Sequence, residues 1–143
     1  MRFFAFLFFL NFILAPNLTA KENISGNPDH LNVYYFRGNF RCSNCYKIET
    51  YTKEAVEKFF AKELESGELV YNVINIDEKE NAHFVEDYKL YTKSVILSRV
   101  IDGAEAEYKN LQKIWEYLGD RERFHNYIKE EIGGFLHRKE EGQ

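Results

Sequence analysis

The stretch that most constrains this chain is Val33–Ile48, reading VYYFRGNFRCSNCYKI. The run Leu31, Val33, Tyr34, Tyr35 and Phe36 predicts a buried β-strand. The polar loop Arg37-Gly38-Asn39-Phe40-Arg41 follows, and Cys42-Ser43-Asn44-Cys45 then opens a helical pattern. The chain's two cysteines therefore sit at C-x-x-C spacing where a strand hands over to a helix. A cysteine at a helix N-terminus meets free backbone N–H groups and the positive end of the macrodipole. Both favour the thiolate, which is the nucleophile. A second cysteine one turn on can attack the resulting mixed disulfide and release the product. Cys42 is thus the candidate attacking thiolate and Cys45 the candidate resolving thiol. Arg41, Ser43 and Asn44 are candidates for the substrate loop, and Arg37, Arg41 and Lys47 add positive charge nearby in sequence.

The expected compartment decides how those cysteines read. Residues 1–20 have the pattern of a secretory signal peptide: Arg2, an apolar Phe3–Leu14 broken by Asn11, then Ala15-Pro16-Asn17-Leu18-Thr19-Ala20 as a small-residue cleavage zone. The apolar run is about a dozen residues, short for a bilayer span. A retained anchor is the alternative to cleavage after Ala20. Cleavage would leave about 120 residues, enough for one domain, and losing Arg2 would move the net charge from −4 to about −5. Export to the periplasm or the extracellular space permits a structural disulfide. A bridge across C-x-x-C closes a very short loop, however, and such loops gain least in the chain-entropy account. A redox-active pair is therefore preferred, with a structural bridge and a thiophilic metal or metalloid site as alternatives.

An apolar content of 45%, with 17% aromatics, is ample for a packed core and argues against disorder. The mildly acidic balance and the lack of a basic block with interleaved aromatics argue against nucleic acid. Membrane association is expected through the export signal alone. Along the chain, 21–30 is a polar lead-in with the sequon Asn23-Ile24-Ser25, 31–137 is the folded domain and 138–143 a solvated tail. The first strand is expected over Leu31–Phe36 and a long amphipathic helix over Ser43–Leu64, capped by Gly67. Strands follow at Leu69–Ile76, Lys93–Ile101 and Ala104–Lys109, with a short helix at about Asn81–Tyr88. Asp102-Gly103 is a hairpin turn. The last helical segment, Leu111–His137, should break at Gly119-Asp120, where Asp120 can cap the second piece, and fray at Gly133-Gly134. The order is β-α-β-α-β-β-α, an α/β fold with a mixed sheet flanked by helices.

With C-x-x-C after the first strand of such an order, the chain resembles thioredoxin-like proteins over roughly Leu31–Ile132. Within that group YYFRGNFRCSNCYKIE, NVINIDE and YTKSVIL are similar to the ArsF-type "nitrophenyl compound nitroreductase subunit" family, an extracytoplasmic thioredoxin-like group. The resemblance implies the fold, a C-x-x-C site and protein or small-molecule thiols and disulfides as partners, within a redox complex if the chain is an accessory subunit. Several positions depart from the thioredoxin pattern. Arg41 replaces the tryptophan before the first cysteine, and Ser43-Asn44 replaces Gly-Pro. Phe36 stands where a buried acid would help deprotonate the second cysteine. The position of the cis-proline facing the disulfide matches Ser94, expected to be trans because a non-proline cis bond costs about 2.5–4 kcal/mol.

Other chemistry-bearing residues have plainer readings. His30, His83, His125 and His137 show no ligand spacing with the cysteines, so no metal site is assigned. Asp77-Glu78-Lys79-Glu80 reads as a charged loop capping the next helix. Tyr34, Tyr35, Phe40 and Tyr46 flank the cysteines as candidates for lining a substrate groove, with strand and core packing at least as apt for Tyr35. No glycine pattern for a dinucleotide or phosphate appears and no flavin site is evident, so no cofactor is expected.

Overall fold

A computed structural model describes residues 29–137. The expected signal segment, nearly all of the expected lead-in and the expected tail at 138–143 lie outside the described residues. The elements run β1 (His30–Arg37), α1 (Ser43–Phe59), α2 (Ala61–Ser66), β2 (Leu69–Asn75), α3 (Phe84–Asp87), β3 (Ser94–Ile101), β4 (Ala104–Asn110) and α4 (Arg121–His137). The sheet order is β2-β1-β3-β4. β1 lies parallel to β2 and antiparallel to β3, and β4 closes the sheet antiparallel to β3.

β1 is central and covered on both faces, which is why its sequence is a nearly unbroken apolar run. Leu31, Val33 and Tyr35 point to one face, where α1 and α4 pack. Tyr34 and Phe36 point to the other, beneath Phe84 and Tyr88. The parallel β1–β2 pair joined through α1, followed by the β3–β4 hairpin and a closing helix, is the thioredoxin-like α/β arrangement. Its hairpin turn has Asp102 and Gly103 both at positive φ (52° and 80°), as the Asp-Gly dipeptide demands. Gly67, at φ 78°, ends α2 with the left-handed cap expected of it. Asp120 caps α4 by accepting the Arg123 amide at 3.0 Å.

Four expectations are corrected. The helix predicted over Ser43–Leu64 is broken at Phe60 (φ −131°, ψ 31°), which turns its side chain into the core beside half-buried Phe59. Two adjacent large aromatics cannot both reach one core from a regular helix, whose successive side chains diverge by about 100°. The helix predicted at Asn81–Tyr88 is a 3-10 turn, Lys79–Asn81, and the single turn of α3. The stretch after Leu111 begins with another 3-10 turn, Gln112–Trp115. Finally, Gly133-Gly134 does not fray α4, which continues to His137, because the flanking Ile132 and Phe135 are buried against the sheet. Packing there outweighs a propensity cost of about 1 kcal/mol per glycine.

Candidate active site

The end of β1 delivers its backbone through a short loop to the start of α1, where Cys42 is the N-cap residue in extended conformation (φ −98°, ψ 169°). Cys42 and Cys45 are disulfide-bonded, with their Cα atoms 5.0 Å apart. Their sulfurs occupy the places that hydroxyl and carboxylate take in a capping box. The Cys45 amide donates to Cys42 Sγ at 3.2 Å, and the Cys42 amide to Cys45 Sγ at 3.1 Å. No acidic residue lies in the first turn of α1. An N–H donor and the helix dipole therefore both face Cys42 Sγ, and each favours negative charge there once the bridge opens. The two sulfurs differ in access. Cys45 is 1% exposed, whereas Cys42 is only half-buried. An incoming thiolate can reach Cys42 from outside, and Cys45 from Cys42 alone.

Tyr35 anchors the second cysteine. Its fully buried ring lies on the helix-covered face of β1, and its Oη donates to the Cys45 carbonyl at 2.8 Å. Burial is the main cause that pushes the phenol up to about 12; the Arg41 cation acts downward and Glu49 upward. Tyr35 is thus a neutral donor that positions the first turn of α1. Of the two sequence-based roles for Tyr35, core packing and groove lining, the structure selects the core, and neither foresaw this contact, which its polar handle on an otherwise apolar strand could have signalled. Phe36 lies on the opposite face, its ring 5.5 Å from Tyr88 and 5.2 Å from Phe84. No carboxylate occupies that position.

Ser43 and Asn44 lie exposed at the start of α1 beside the bridge. Arg41 is redirected. Its guanidinium pairs with Glu49 on the next turn of α1 and lies 4.2 Å over the Tyr46 ring, so the charge expected to serve the sulfurs is answered by a carboxylate. Ser94 is the buried first residue of β3, paired in register with Phe36, and so reaches the same end of the sheet. Its Oγ donates to the Thr92 carbonyl at 2.9 Å, and every peptide bond among the described residues is trans.

The Asp77 cluster also has a role that the sequence reading missed. Asp77 Oδ2 accepts the Asn39 amide at 2.6 Å, and Asn75 Nδ2 donates to Asn39 Oδ1 at 2.8 Å. The loop after β2 thereby braces the loop that presents Cys42. Gly38 lets the two loops approach closely, since a Cβ there would lie 2.9 Å from Asp77 Oδ2 and the carboxylate would have to shift. A groove runs beside this brace between Arg37–Phe40 and Leu90–Lys93, with Phe40 77% and Tyr91 95% exposed at its rim. The histidines stand apart: His83 pairs with Asp87 at 2.7 Å and His125 with Glu54 at 3.1 Å. Among the described residues no three His, Cys, Asp or Glu side chains converge as metal ligands would. No described helix is long and apolar enough to cross a membrane.

No protein-family model matches the sequence, and no curated protein matches it. Among solved structures the chain is similar to a thioredoxin of Fasciola hepatica at 20% identity and TM-score 0.36, covering 64% of this chain and 81% of that one. It is also similar to a malarial protein at 13% identity and TM-score 0.38, covering 57% of this chain and 80% of that one. The thioredoxin-like assignment stands on strand order, on the mixed pairing and on the cysteine pair at the β1–α1 junction.

Proposed function

We propose that this protein is an extracytoplasmic thiol-disulfide oxidoreductase, with Cys42 as the exchanging sulfur and Cys45 as the resolving one. The observation that carries the reading is the asymmetric bridge at the N-cap of α1: an accessible Cys42 that receives a backbone N–H, joined to a buried Cys45. In the reducing direction, Cys42 thiolate attacks one sulfur of a substrate disulfide, forming a mixed disulfide and expelling the other substrate sulfur as thiolate. Cys45, deprotonated by water in the absence of a neighbouring acid, then attacks Cys42 Sγ. This re-forms the Cys42–Cys45 bond and releases the second substrate thiolate. Two electrons have passed from the pair to the substrate. The oxidised form runs the same steps backwards on a substrate dithiol. Arg41, Ser43, Asn44 and Ser94 shape the surroundings of the exchanging sulfur.

The extracytoplasmic setting rests on the signal-like pattern of residues 1–20. A place in the ArsF-type family, and with it a role beside a redox partner, is proposed from the sequence resemblance alone.

The decisive experiment titrates the cysteine pair in graded glutathione buffers, trapping free thiols, alongside turnover of a test disulfide. A potential between about −270 and −120 mV supports exchange, whereas one below about −300 mV indicates a structural bridge. Cys42→Ser should abolish turnover, and Cys45→Ser should accumulate a mixed disulfide. Equal activity of wild type and Cys42→Ser would overturn the reading. Stoichiometric, thiol-dependent uptake of arsenite without turnover would assign the cysteines to a binding subunit instead.

A further inference from the structure

We propose that the chain forms a two-fold dimer in which β2 of one copy pairs antiparallel with β2 of another, making one continuous eight-stranded sheet. The inference is independent of the redox reading. It starts from the contrast between the two edges of the sheet, β2 and β4. β4 reads AEAEYKN and carries Glu105, Glu107 and Lys109, and the β3–β4 register shifts at Arg99/Val100. Charges and a bulge are the devices that keep an edge strand from recruiting another. β2 reads LVYNVIN and has neither, nor any proline or glycine, while five of its seven residues are apolar or aromatic. Such an edge is a template for pairing.

The hydrogen-bond parity of β2 shows which groups are on offer. Leu31 donates to the Glu68 carbonyl at 2.8 Å and Ile76 to the Arg37 carbonyl at 2.8 Å. Even-numbered residues of β2 therefore turn their backbone groups toward β1, and Leu69, Tyr71 and Val73 turn theirs outward. Among the described residues nothing pairs with these outer groups. Asn75, next in the outward series, already accepts from the Glu78 amide and from Asn81 Nδ2 on its carbonyl. The available groups are thus centred on Tyr71.

A two-fold axis there pairs Tyr71 with Tyr71 of the second copy, Leu69 with Val73, and Val73 with Leu69. Every one of the six outward N–H and C=O groups on each chain then finds a partner. A one-residue shift would present the even-numbered groups already used by β1, so the parity admits no such slip. The side-chain pairs are aromatic with aromatic and aliphatic with β-branched, and an uncharged strand faces its own copy without like-charge repulsion. Antiparallel pairing also sets the two Cys42–Cys45 bridges at opposite ends of the joint sheet.

The test measures mass in solution by sedimentation equilibrium on the full chain. Wild type should sediment at twice the mass of one chain at micromolar concentration. Val73→Lys should sediment as one chain with an unchanged circular dichroism spectrum, since Val73 is 41% exposed and its replacement leaves the core intact. Tyr108→Lys on the β4 edge should remain a dimer. A monomeric wild type, as would result if residues 1–28 covered the edge, overturns the proposal, as does a dimer that survives Val73→Lys. Cysteine crosslinking checks the register in a Cys42→Ser/Cys45→Ser background. Val70→Cys mixed with Asn72→Cys should crosslink, because directly opposed non-hydrogen-bonded residues lie about 4.5 Å apart between Cα atoms. Efficient crosslinking of Asn72→Cys with itself would overturn the Tyr71-centred register.

Discussion

The two faces of the sheet are built differently. On one, among the described residues, α1 and α4 press sixteen buried side chains into a single cluster that includes Tyr35, Ile48, Phe124 and Ile128. On the other, a one-turn helix and its flanking loops cover four: Phe36, Tyr88, Leu90 and Ile96. The thick face holds α1, and so fixes the buried Cys45. The thin face ends in the loop whose Tyr91 and Lys93 border the groove beside the bridge. Polar contacts follow the same division. Across the thick face the Glu54 carboxylate ties α1 to Arg121 and His125 of α4. On the thin face Tyr88 Oη and Ser98 Oγ both donate to Glu105 on the edge strand. Stability is concentrated behind the resolving cysteine, and the groove rim is left comparatively light.

Phe124→Ala should expose this contrast most strongly. Phe124 is fully buried between α4 and Tyr51 of α1, so its truncation should cost about 3–5 kcal/mol in denaturant unfolding. Phe84→Ala on the thin face removes a half-buried ring stacked on Tyr88 and tilted against Phe36, and should cost about 1–2 kcal/mol while leaving the cysteine pair's potential unchanged. Equal losses from the two variants would erase the distinction between the faces. Tyr35→Phe deletes the donor to the Cys45 carbonyl and should cost about 1 kcal/mol by the same unfolding measurement.

The smallest effect concerns pH. The hydrogen bond from Arg121 is the main cause that lowers the Glu54 carboxyl below the usual carboxylate range; burial opposes it, and His125 contributes further lowering. A depressed folded value means that the stabilisation is complete above the unfolded value and disappears as pH falls through the folded one. With a 31% exposed side chain, the effect should stay under about 1 kcal/mol. The stability gap between wild type and Glu54→Gln should therefore be present near neutrality and close as acid is added through the carboxylate range.

How far the fold and site could be read in advance depended on how local each cause was. The cysteine pair was legible because a strand, a short polar loop and a helical period lie side by side in sequence. For Tyr35 core packing was at least as apt as groove lining, and the structure buries it, yet its bond to Cys45 depends on how α1 folds back over β1. Arg41 was expected to lend charge to the sulfurs, and its pairing with Glu49 depends on which rotamer the first turns of α1 select. The partnership of Asp77 with Asn39 spans 38 residues of sequence and exists only because β1 and β2 run parallel and end together.

By itself the amino-acid order determined the strands, the handover at Cys42, the Asp102-Gly103 hairpin, the Gly67 stop and the Asp120 cap, because each follows from the backbone preferences of a few adjacent residues. Tertiary structure decided the break at Phe60, the survival of helix through Gly133-Gly134, the division of the sheet into a thick and a thin face, and the β2 edge that no other described strand pairs with. Those outcomes turn on which distant side chains compete for the same buried volume and which backbone groups remain unpaired once the sheet has formed, and no local window contains either quantity.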